Sequence, residues 1–589
     1  MHICFEYSPQ NHVGASAEDA AISGRDYRLI LHRRDSSGPI YPHVWERSEP
    51  TFYAFFAGRI AGEPIKDAFP AGHAVANRDA SDWAMTPEPD GSWLAVKFDR
   101  ERDTVSFAAD FCLLQRWYYT QQGKSWYVSN SLLYLKELIG ASWRVNKAAI
   151  PYMLMRGYLP LDQTPIAGVY GLRSGRILII EKDSYRIERR LEPVYFFNEI
   201  PNIEAAAVPE EIRGVLKRAV AAEIAHLDAV CIPLSGWSDS RFLLGCVLEL
   251  LPKEKITAFT FGHKNSLDFQ IGSGLAKQAG VRAIELSFDD RPLAELLRDS
   301  MRTVEGAYWC YPNHPVSRLR ETLKEHSSIL SGYIGDLVFG SYDLTPETAR
   351  RLETSDEYFL EQIHGIADVV PPAEALKLLE NQDEDPLKTD QACLTLTANS
   401  RENAFAMWLW EDHLFNRTNF AVELHRDLAF YHAPFIHCDV LKFAYSLPKS
   451  LRLNQKAYRQ AMRQAYPSLW SYPLKNNYGF SPAKKSGARI WAARVFRKAM
   501  AGADNLLGSY TGKIHYYHPM DNYEHSRELM QERHRGDVLA ALKRLREREA
   551  FRTDAMSVLI NNYEKRKPIS KYLLFGLLTI DLWYQYYEA

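Results

Sequence analysis

The stretch AVCIPLSGWSDSRFLL, residues 229–244, contains the clearest local pattern in the chain. An apolar run ends in small and hydroxyl residues, and apolar residues then recur with helical spacing through DSRFLLGCVLELLP. This pattern predicts a strand, a tight loop and a helix. A second apolar run, KITAFTFG at 255–262, follows the helix. The order strand–helix–strand predicts a right-handed crossover and a parallel sheet.

The sequence before this unit has a different character. Short β-rich runs such as TFYAFFAGRIAG and SWLAVKFD, separated by Gly, Asp and Ser, fill the first part of the chain. Such a succession predicts packed antiparallel sheets. Helical patterns dominate from Ile203 onward. We therefore predict an α/β protein of two domains, 1–200 and 201–589, with antiparallel sheets in the first and a parallel sheet with a large helical portion in the second.

Composition narrows the function classes. The 589 residues are 46% hydrophobic and 24% charged, as in ordinary globular proteins, and the formal net charge is −2. This charge gives no overall attraction to nucleic acid or anionic membranes, and neither is predicted as a partner. The start lacks the pattern of a signal peptide, and KYLLFGLLTIDLWYQYY at 571–587 is short and interrupted by Asp581. Seven scattered cysteines without CxxC favour a reduced, cytoplasmic protein.

The loop at 235–240 is suited to an anion. Backbone N–H groups at a strand-to-helix turn, together with the helix dipole, bind phosphate. Asp239 would repel phosphate unless Mg²⁺ bridged the two. The loop is not the GxxxxGK[ST] type, because no lysine follows it.

At this point the sequence resembles a known family, the asparagine synthetase branch of the ATP pyrophosphatase superfamily. SGWSDS is similar to the pyrophosphate loop SGGxDS, and further segments resemble the family in the correct order: TAFTFGHKNSLDFQIGSGLAKQAG, ILSGYIGDLVFGSY (similar to SGxGxDxxFGGY), APFIHCDVLKFAYSLP (similar to PFLD), RLNQKAYRQAM with YPLKNNYGFSP, and LLTIDLWYQYY. In the N-terminal half, VSNSLLYLKEL and GVYGLRSGRILII resemble the linked glutaminase-type domain.

The resemblance implies a fold and an activity. Residues 1–200 would form a degenerate class II glutamine amidotransferase-like β-sandwich, and residues 201–589 an ATP-pyrophosphatase-type synthetase domain. Such a domain binds ATP and Mg²⁺, adenylates a substrate carboxylate and releases pyrophosphate. An amine then displaces AMP to give an amide.

The resemblance also implies roles for individual residues. Asp239 and Asp336 match the magnesium-binding aspartates, and Lys475 matches the lysine that stabilises charge on pyrophosphate and on the tetrahedral intermediate. The remaining positions implied to bind ATP or pyrophosphate are Ser235, Gly236, Ser238, Ser240, Gly332 and Lys456.

Tyr333 stands where ordinary asparagine synthetases have Glu. The β-lactam and carbapenam synthetases are similar in pairing a Tyr with a Glu to deprotonate the attacking amine, and a phenol with a lowered pKa would suit that role. The expected Glu position holds Phe430, and Glu423 is the nearest upstream candidate for the partner.

Three departures bear on function. A class II glutaminase uses an N-terminal Cys, but removal of Met1 would leave His2, and Cys4 lies two residues further. The amine is therefore expected from a source other than glutamine. Trp237 replaces the second Gly of SGGxDS, and a negative φ would let its ring point outward with the site intact. His437 replaces the Asp of PFLD, a position expected to organise structure.

These observations lead to an AMP-forming amide ligase that lacks glutaminase activity. Loss of glutaminase together with Tyr333 favours an amine carried by the substrate, as in lasso peptide cyclases, which form a peptide macrolactam. A small-molecule lactam synthetase, an ammonia-dependent amidotransferase and a catalytically dead scaffold of a biosynthetic complex remain alternatives. The predicted partners are a carboxylate-bearing substrate, peptide or small molecule, and a protein of the same biosynthetic pathway.

Overall fold

The structure is a computed structural model of the whole chain. It describes all residues except 10–19, 35–42, 61–89, 141, 192, 201–202, 288–290, 311–318, 320–327, 381–389, 391–399, 420–421, 424–427, 484–486, 512–519, 521–528, 530–531, 568 and 589.

The N-terminal part consists of two antiparallel sheets of six described strands each, ordered β10-β8-β9-β1-β3-β2 and β12-β11-β7-β6-β5-β4. The strands are β1 His2–Pro9, β2 Ala20–Ser23, β3 Tyr27–Arg34, β4 His43–Ser48, β5 Phe52–Ile60, β6 Gly91–Asp99, β7 Thr104–Ala109, β8 Tyr118–Gln122, β9 Ser125–Ser129, β10 Tyr170–Gly171, β11 Arg176–Glu181 and β12 Ser184–Arg189.

The two antiparallel sheets pack face to face. Phe5 on β1 meets Phe55 and Phe107 of the other sheet edge-on, at ring-centroid distances of 5.3 and 5.7 Å. Successive side chains point to opposite faces of a strand, so Phe55 and Ala57 of β5 reach the shared core and Ala54 and Phe56 pack on the other face.

The C-terminal part is built on a parallel sheet of five described strands, ordered β15-β14-β13-β16-β17. Its strands are β13 Val230–Pro233, β14 Ile256–Gly262, β15 Arg282–Ser287, β16 Ser328–Leu330 and β17 Phe430–His432. The register pairs Val230 with Ile256 and Cys231 with Ile329. The carboxyl ends of β13 and β16 therefore lie side by side, and the loops that follow them meet at one edge of the sheet.

Of the described helices, the first two lie in the N-terminal part of the chain, and the others follow from residue 208 onward. They are α1 Leu132–Ile139, α2 Ile150–Arg156, α3 Val208–Ile224, α4 Ser238–Leu250, α5 Leu267–Ala279, α6 Leu293–Val304, α7 Gly335–Val338, α8 Pro346–Thr354, α9 Asp356–Ala367, α10 Pro372–Leu376, α11 Arg401–Trp408 followed by a π-helical segment Leu409–Thr418, α12 Cys438–Ser446, α13 Lys449–Arg452, α14 Lys456–Ala465, α15 Pro467–Trp470, α16 Gly487–Thr511, α17 Glu532–Arg546, α18 Thr553–Glu564 and α19 Lys571–Tyr587.

The apolar C-terminal segment is the buried helix α19. Asp581, which interrupts its apolar run, accepts two hydrogen bonds from Arg544, at 2.9 and 2.6 Å. Within the described part of the chain, no helix combines the length and apolar character needed to cross a bilayer.

The predicted order of antiparallel sheets followed by a parallel sheet with many helices is confirmed. The domain boundary near residue 200 stays a prediction. It falls between the end of β12 at Arg189 and the start of α3 at Val208.

Candidate active site

The loop after β13 accommodates Trp237 in place of the motif glycine without backbone strain. Trp237 is the N-cap of α4 with φ −90° and ψ 169°, an extended conformation that any residue adopts. Its ring points outward and remains 37% exposed. The hydroxyl oxygen of Ser235 accepts the Trp237 N–H at 3.3 Å, and that of Ser240 accepts the Ser235 N–H at 3.3 Å. The loop is therefore closed by its own hydroxyls.

Gly236, by contrast, is required for space. A Cβ added there would lie 2.9 Å from Lys475 Cβ and 3.0 Å from Asp268 Oδ1. Its N–H donates to Asp268 Oδ1 at 2.9 Å. Asp268, in the first turn of α5, was not among the predicted site residues, although the segment containing it was recognised.

Lys475 binds the other oxygen of the same carboxylate. Its Nζ lies 2.9 Å from Asp268 Oδ2, and both side chains are buried. The Lys475 N–H donates to the Gly236 carbonyl at 3.1 Å, so the lysine segment is attached to the loop by main chain as well. One carboxylate thus occupies two donors, the Gly236 N–H and the Lys475 ammonium, that the resemblance assigns to phosphate.

Asp239, which is buried, and Asp336, which is half-buried, are neighbouring carboxyl groups. Asp239 lies in the first turn of α4 and Asp336 in the first turn of α7. Burial and the neighbouring charge of Asp336 raise the pKa of Asp239 well above its ordinary value. Burial likewise raises the pKa of Asp336, against the opposing charge of Lys475. Tyr458 of α14 donates its hydroxyl to Asp239 Oδ1 at 2.9 Å.

The carboxylate oxygens of Asp239 and Asp336 are suitable ligands for Mg²⁺. Two carboxylates that repel each other in a buried site are stabilised by a divalent cation between them, and Mg²⁺ prefers oxygen ligands. Among the described residues, no three His, Cys, Asp or Glu side chains form a metal-binding group. The aspartates would hold the ion together with phosphate oxygens and water, as Mg²⁺ at nucleotide sites is held.

The loop after β16 lies directly against the first loop. A Cβ on Gly332 would stand 2.9 Å from both the Asp239 carbonyl carbon and the Ser240 nitrogen, which are backbone atoms that cannot give way. Ile334 adopts φ 48° and ψ 19°, a left-handed conformation that is unusual for a β-branched residue. It occupies the second glycine position of SGxGxDxxFGGY. The sequence carried this signal, but the strain became evident only from the backbone.

The prediction for Tyr333 needs correction. Its hydroxyl donates to the amide oxygen of Asn419, and burial raises the pKa of Tyr333 well above its ordinary value. This direction is opposite to the lowered pKa that a general base would need. Asn419 is itself held by the Leu113 carbonyl, to which its Nδ2 donates at 2.9 Å. Glu423, the predicted partner, is buried one turn further along, and its N–H donates to the Asn419 carbonyl at 2.9 Å.

Two other predicted residues have more peripheral positions. Ser238 is half-buried at the first position of α4, and Lys456 is exposed at the first position of α14. From α14 it is Tyr458, not Lys456, whose side chain contacts Asp239. Tyr458 was missed because an apolar-looking tyrosine in a helical pattern is ordinarily a core residue.

His437 belongs to a buried cluster, which we call the Glu223 clamp (Arg59, Glu223, His432 and His437). The carboxylate of Glu223 meets His437 Nε2 at 2.9 Å and His432 Nδ1 at 2.7 Å. Arg59 of β5 donates to the Glu223 carbonyl at 2.8 Å, joining the antiparallel part to α3. The clamp gives His437 the structural setting that the sequence suggested.

Charge determines the protonation of the clamp. Burial alone would raise the pKa of Glu223, but hydrogen bonds from both histidines hold it well below its ordinary value. Burial alone would lower the pKa of His437, but the hydrogen bond and charge of Glu223 raise it. Each group of the pair therefore favours the charged form of the other.

Cys4 lies inside β1, not at a chain end. It pairs with His32 of β3 on one side and with Ser129 of β9 on the other, and its side chain is fully buried. A thiol in this position has no room to attack a substrate.

Comparison with known proteins gives one family match. The family model described as asparagine synthase matches residues 211–585. No curated protein sequence matches the chain.

Two solved structures are similar at low identity. Glutamine phosphoribosylpyrophosphate (PRPP) amidotransferase from B. subtilis, complexed with ADP and GMP, is 12% identical over 42% of this chain, with a TM-score of 0.17. This chain spans 57% of that protein's length. The allosteric regulatory enzyme of purine biosynthesis is 11% identical over 52% of this chain and 72% of its own, with a TM-score of 0.18. Both TM-scores are too low to support a conclusion on fold or function.

Proposed function

The chain belongs to the asparagine synthase family, and on that premise we propose that it is an ATP- and Mg²⁺-dependent, AMP-forming amide ligase. The observation that carries the proposal is the neighbouring pair Asp239 and Asp336 beside Lys475, at the carboxyl edge of a parallel sheet. Two neighbouring carboxylates repel each other, and a divalent cation bound between them would remove that repulsion.

The proposed reaction has two balanced steps. A carboxylate oxygen of the substrate attacks the α-phosphorus of ATP, and pyrophosphate leaves. An amine nitrogen then attacks the acyl carbon, loses a proton, and expels AMP. When bound, Mg²⁺ would neutralise charge on the phosphates.

The chain's own residues bind and orient the reactants. Asp239 and Asp336 would hold the ion, the Gly236 N–H would donate to phosphate, and Lys475 would direct a fixed positive charge at the leaving pyrophosphate. For the last two, phosphate oxygens would replace the Asp268 carboxylate. Tyr333 enters this scheme as a neutral hydrogen-bond donor held by Asn419, since its raised pKa disfavours a role as base.

We propose further that the amine is carried by the substrate, and that the product is a peptide macrolactam. The enclosed position of Cys4 in β1 supports an amine source other than glutamine. An intramolecular amine also gains effective molarity beside the acyl-adenylate, without a passage for ammonia.

The first experiment is calorimetric titration of ATP–Mg²⁺ into the wild-type chain and into Asp239→Ala. We expect binding to the wild type and loss of binding in the variant. Asp554→Ala is the matched control, because Asp554 is exposed on α18 and pairs with its near neighbour Arg552. Absence of binding to a folded wild-type chain would contradict the ligase and favour a scaffold role.

A second experiment separates the substrate classes. Exchange of labelled pyrophosphate into ATP is measured with linear peptides that carry a free amine and a side-chain carboxylate, with small β-amino acids, and with aspartate plus ammonium. Exchange with peptides, accompanied by the loss of one water from the peptide in mass spectra, is the expected result. Exchange only with β-amino acids would indicate a small-molecule lactam synthetase, and exchange only with aspartate plus ammonium an ammonia-dependent amidotransferase.

A further inference from the structure

Trp237 has a built contact with the lysine of the site. The Lys475 Nζ lies 4.2 Å from the centroid of the Trp237 ring, within the range of a cation–π interaction. The ring is 37% exposed, whereas the lysine is buried. The indole therefore covers the ammonium on the side that faces solvent.

The neighbouring contacts fix this arrangement. Gly236, which precedes Trp237, accepts the Lys475 N–H at 3.1 Å and donates its own N–H to Asp268 at 2.9 Å. Asp268 in turn holds the Lys475 ammonium. The arginine Arg241, one turn into α4, donates its Nε to the Trp237 carbonyl at 3.2 Å. The position of the ring thus follows from a loop that is tied at several points to the lysine segment.

A lysine needs such support when one negatively charged partner of its ammonium is exchanged for another. Its ammonium sits on a flexible four-carbon stem and loses direction once a partner is removed. In the proposed reaction the phosphates compete with Asp268 for this ammonium. A ring that attracts the cation without supplying a negative charge keeps it in place and does not repel phosphate.

We propose that Trp237 is a positioning residue for Lys475: its indole face holds the ammonium against the loop and shields it from solvent. The part of this inference that concerns phosphate rests on the proposed function. The part that concerns the lysine does not, and the two are tested separately.

The lysine is tested without nucleotide. The rate at which Lys475 is acetylated by an amine-reactive reagent is measured by mass spectrometry, with exposed Lys255 as the internal reference. Trp237→Leu is expected to raise the rate about 2–5-fold, the equivalent of an exposed cation–π contact, and Trp237→Phe to restore it. Trp491→Leu, at a 66% exposed tryptophan on α16, is the matched control. An unchanged rate in Trp237→Leu would overturn the proposal. Trp237→Gln serves the same purpose if the leucine variant unfolds.

The phosphate part is tested by titration of ATP–Mg²⁺ into the same variants. Trp237→Leu is expected to weaken binding about 2–5-fold, with Phe close to wild type. Equal affinity in all variants would overturn the role at phosphate. If the wild type binds no ATP–Mg²⁺, the proposed function fails, and the acetylation rates still decide whether Trp237 holds Lys475.

Discussion

The loops 235–240 and 331–336 have both lost a glycine, with opposite structural consequences. In the first loop Trp237 takes an extended backbone with φ −90°, and its side chain finds room outside. In the second loop Ile334 keeps a left-handed backbone with φ 48°, and its side chain is buried. The difference shows that a glycine in a sequence motif can reflect either a backbone conformation or a lack of space for a side chain. The motif itself does not distinguish the two.

The glycines that remain reveal a third need. Gly236 and Gly332 have no room for a Cβ, because Lys475 and the Asp239 backbone respectively approach within 2.9 Å. A left-handed non-glycine residue costs about 1–2 kcal/mol, so Ile334 is tolerated at that expense. A Cβ that clashes with backbone atoms is harder to accommodate, because the main chain itself would have to move. Gly236 and Gly332 therefore stand where space is required, whereas Trp237 and Ile334 stand where a side chain fits.

The largest expected effect comes from the acid that joins the two loops. Asp239→Asn should weaken ATP–Mg²⁺ binding at least about 100-fold, or ~2.7 kcal/mol, because the ion loses a charged ligand. The same variant should raise the unfolding temperature of the protein in the absence of Mg²⁺. The pKa of Asp239 is higher in the folded protein than in the unfolded chain. Ionisation of Asp239 therefore lowers the stability of the fold once the pH rises above the unfolded-state pKa.

Calorimetry and thermal unfolding with EDTA measure the two effects. A variant that bound ATP–Mg²⁺ as well as the wild type would remove Asp239 from the site. Lower stability without the metal would contradict the repulsion between Asp239 and Asp336.

The second-largest expected effect tests whether residue 332 must lack a Cβ. Gly332→Ala should destabilise the protein by about 1–3 kcal/mol and weaken ATP–Mg²⁺ binding, because the new Cβ presses on the Asp239 and Ser240 backbone. Gly365→Ala on α9 is the control. No heavy atom lies near its added Cβ, so alanine should be neutral or stabilising there. Equal urea midpoints for Gly332→Ala and the wild type would refute the close approach of the two loops.

The Glu223 clamp provides a reference outside both loops. The raised pKa of His437 gives stability that is present in full below about pH 6.5 and disappears as the pH rises through the folded value. The lowered pKa of Glu223 gives stability that is lost as the pH falls towards that value. Asp90, Asp439, His432 and Arg59 face the pair, and the negative charges of Asp90 and Asp439 favour the imidazolium.

His437→Gln should therefore lower the free energy of unfolding by about 1–3 kcal/mol at pH 6, with a smaller difference at pH 9. Urea titrations across this range measure the change, while ATP–Mg²⁺ affinity should stay at the wild-type value. A difference that grows with pH would have the wrong sign for an imidazolium.

The smallest effect concerns Trp237 itself. Trp237→Gly should change the free energy of unfolding by less than about 1 kcal/mol, since glycine is acceptable at an N-cap and the residue is partly exposed. Chemical unfolding of this variant beside Gly332→Ala gives the sharpest form of the comparison. A loss as large as that of Gly332→Ala would mean that Trp237 has a structural role beyond its contact with Lys475.

The sequence by itself determined the local parts of this protein. The apolar run and helical spacing around 229–244 were enough for the strand, loop and helix, and the strand–helix–strand order for the parallel sheet. Because the carboxyl ends of parallel strands share one edge, the loops containing Asp239 and Asp336 could be expected to meet there. Trp237 could be expected to point outward if φ was negative, and φ is negative.

Only the tertiary structure decided which side chains touch. Asp268 takes both the Gly236 N–H and Lys475, Tyr458 rather than Lys456 contacts Asp239, and Asn419 holds Tyr333. These contacts join residues that are far apart in the chain, and each depends on how a helix is rotated about its axis. A pattern of spacing fixes which face a residue shares, but the rotation is set by packing among all the elements around it. The elements were therefore predictable, and the partners were not.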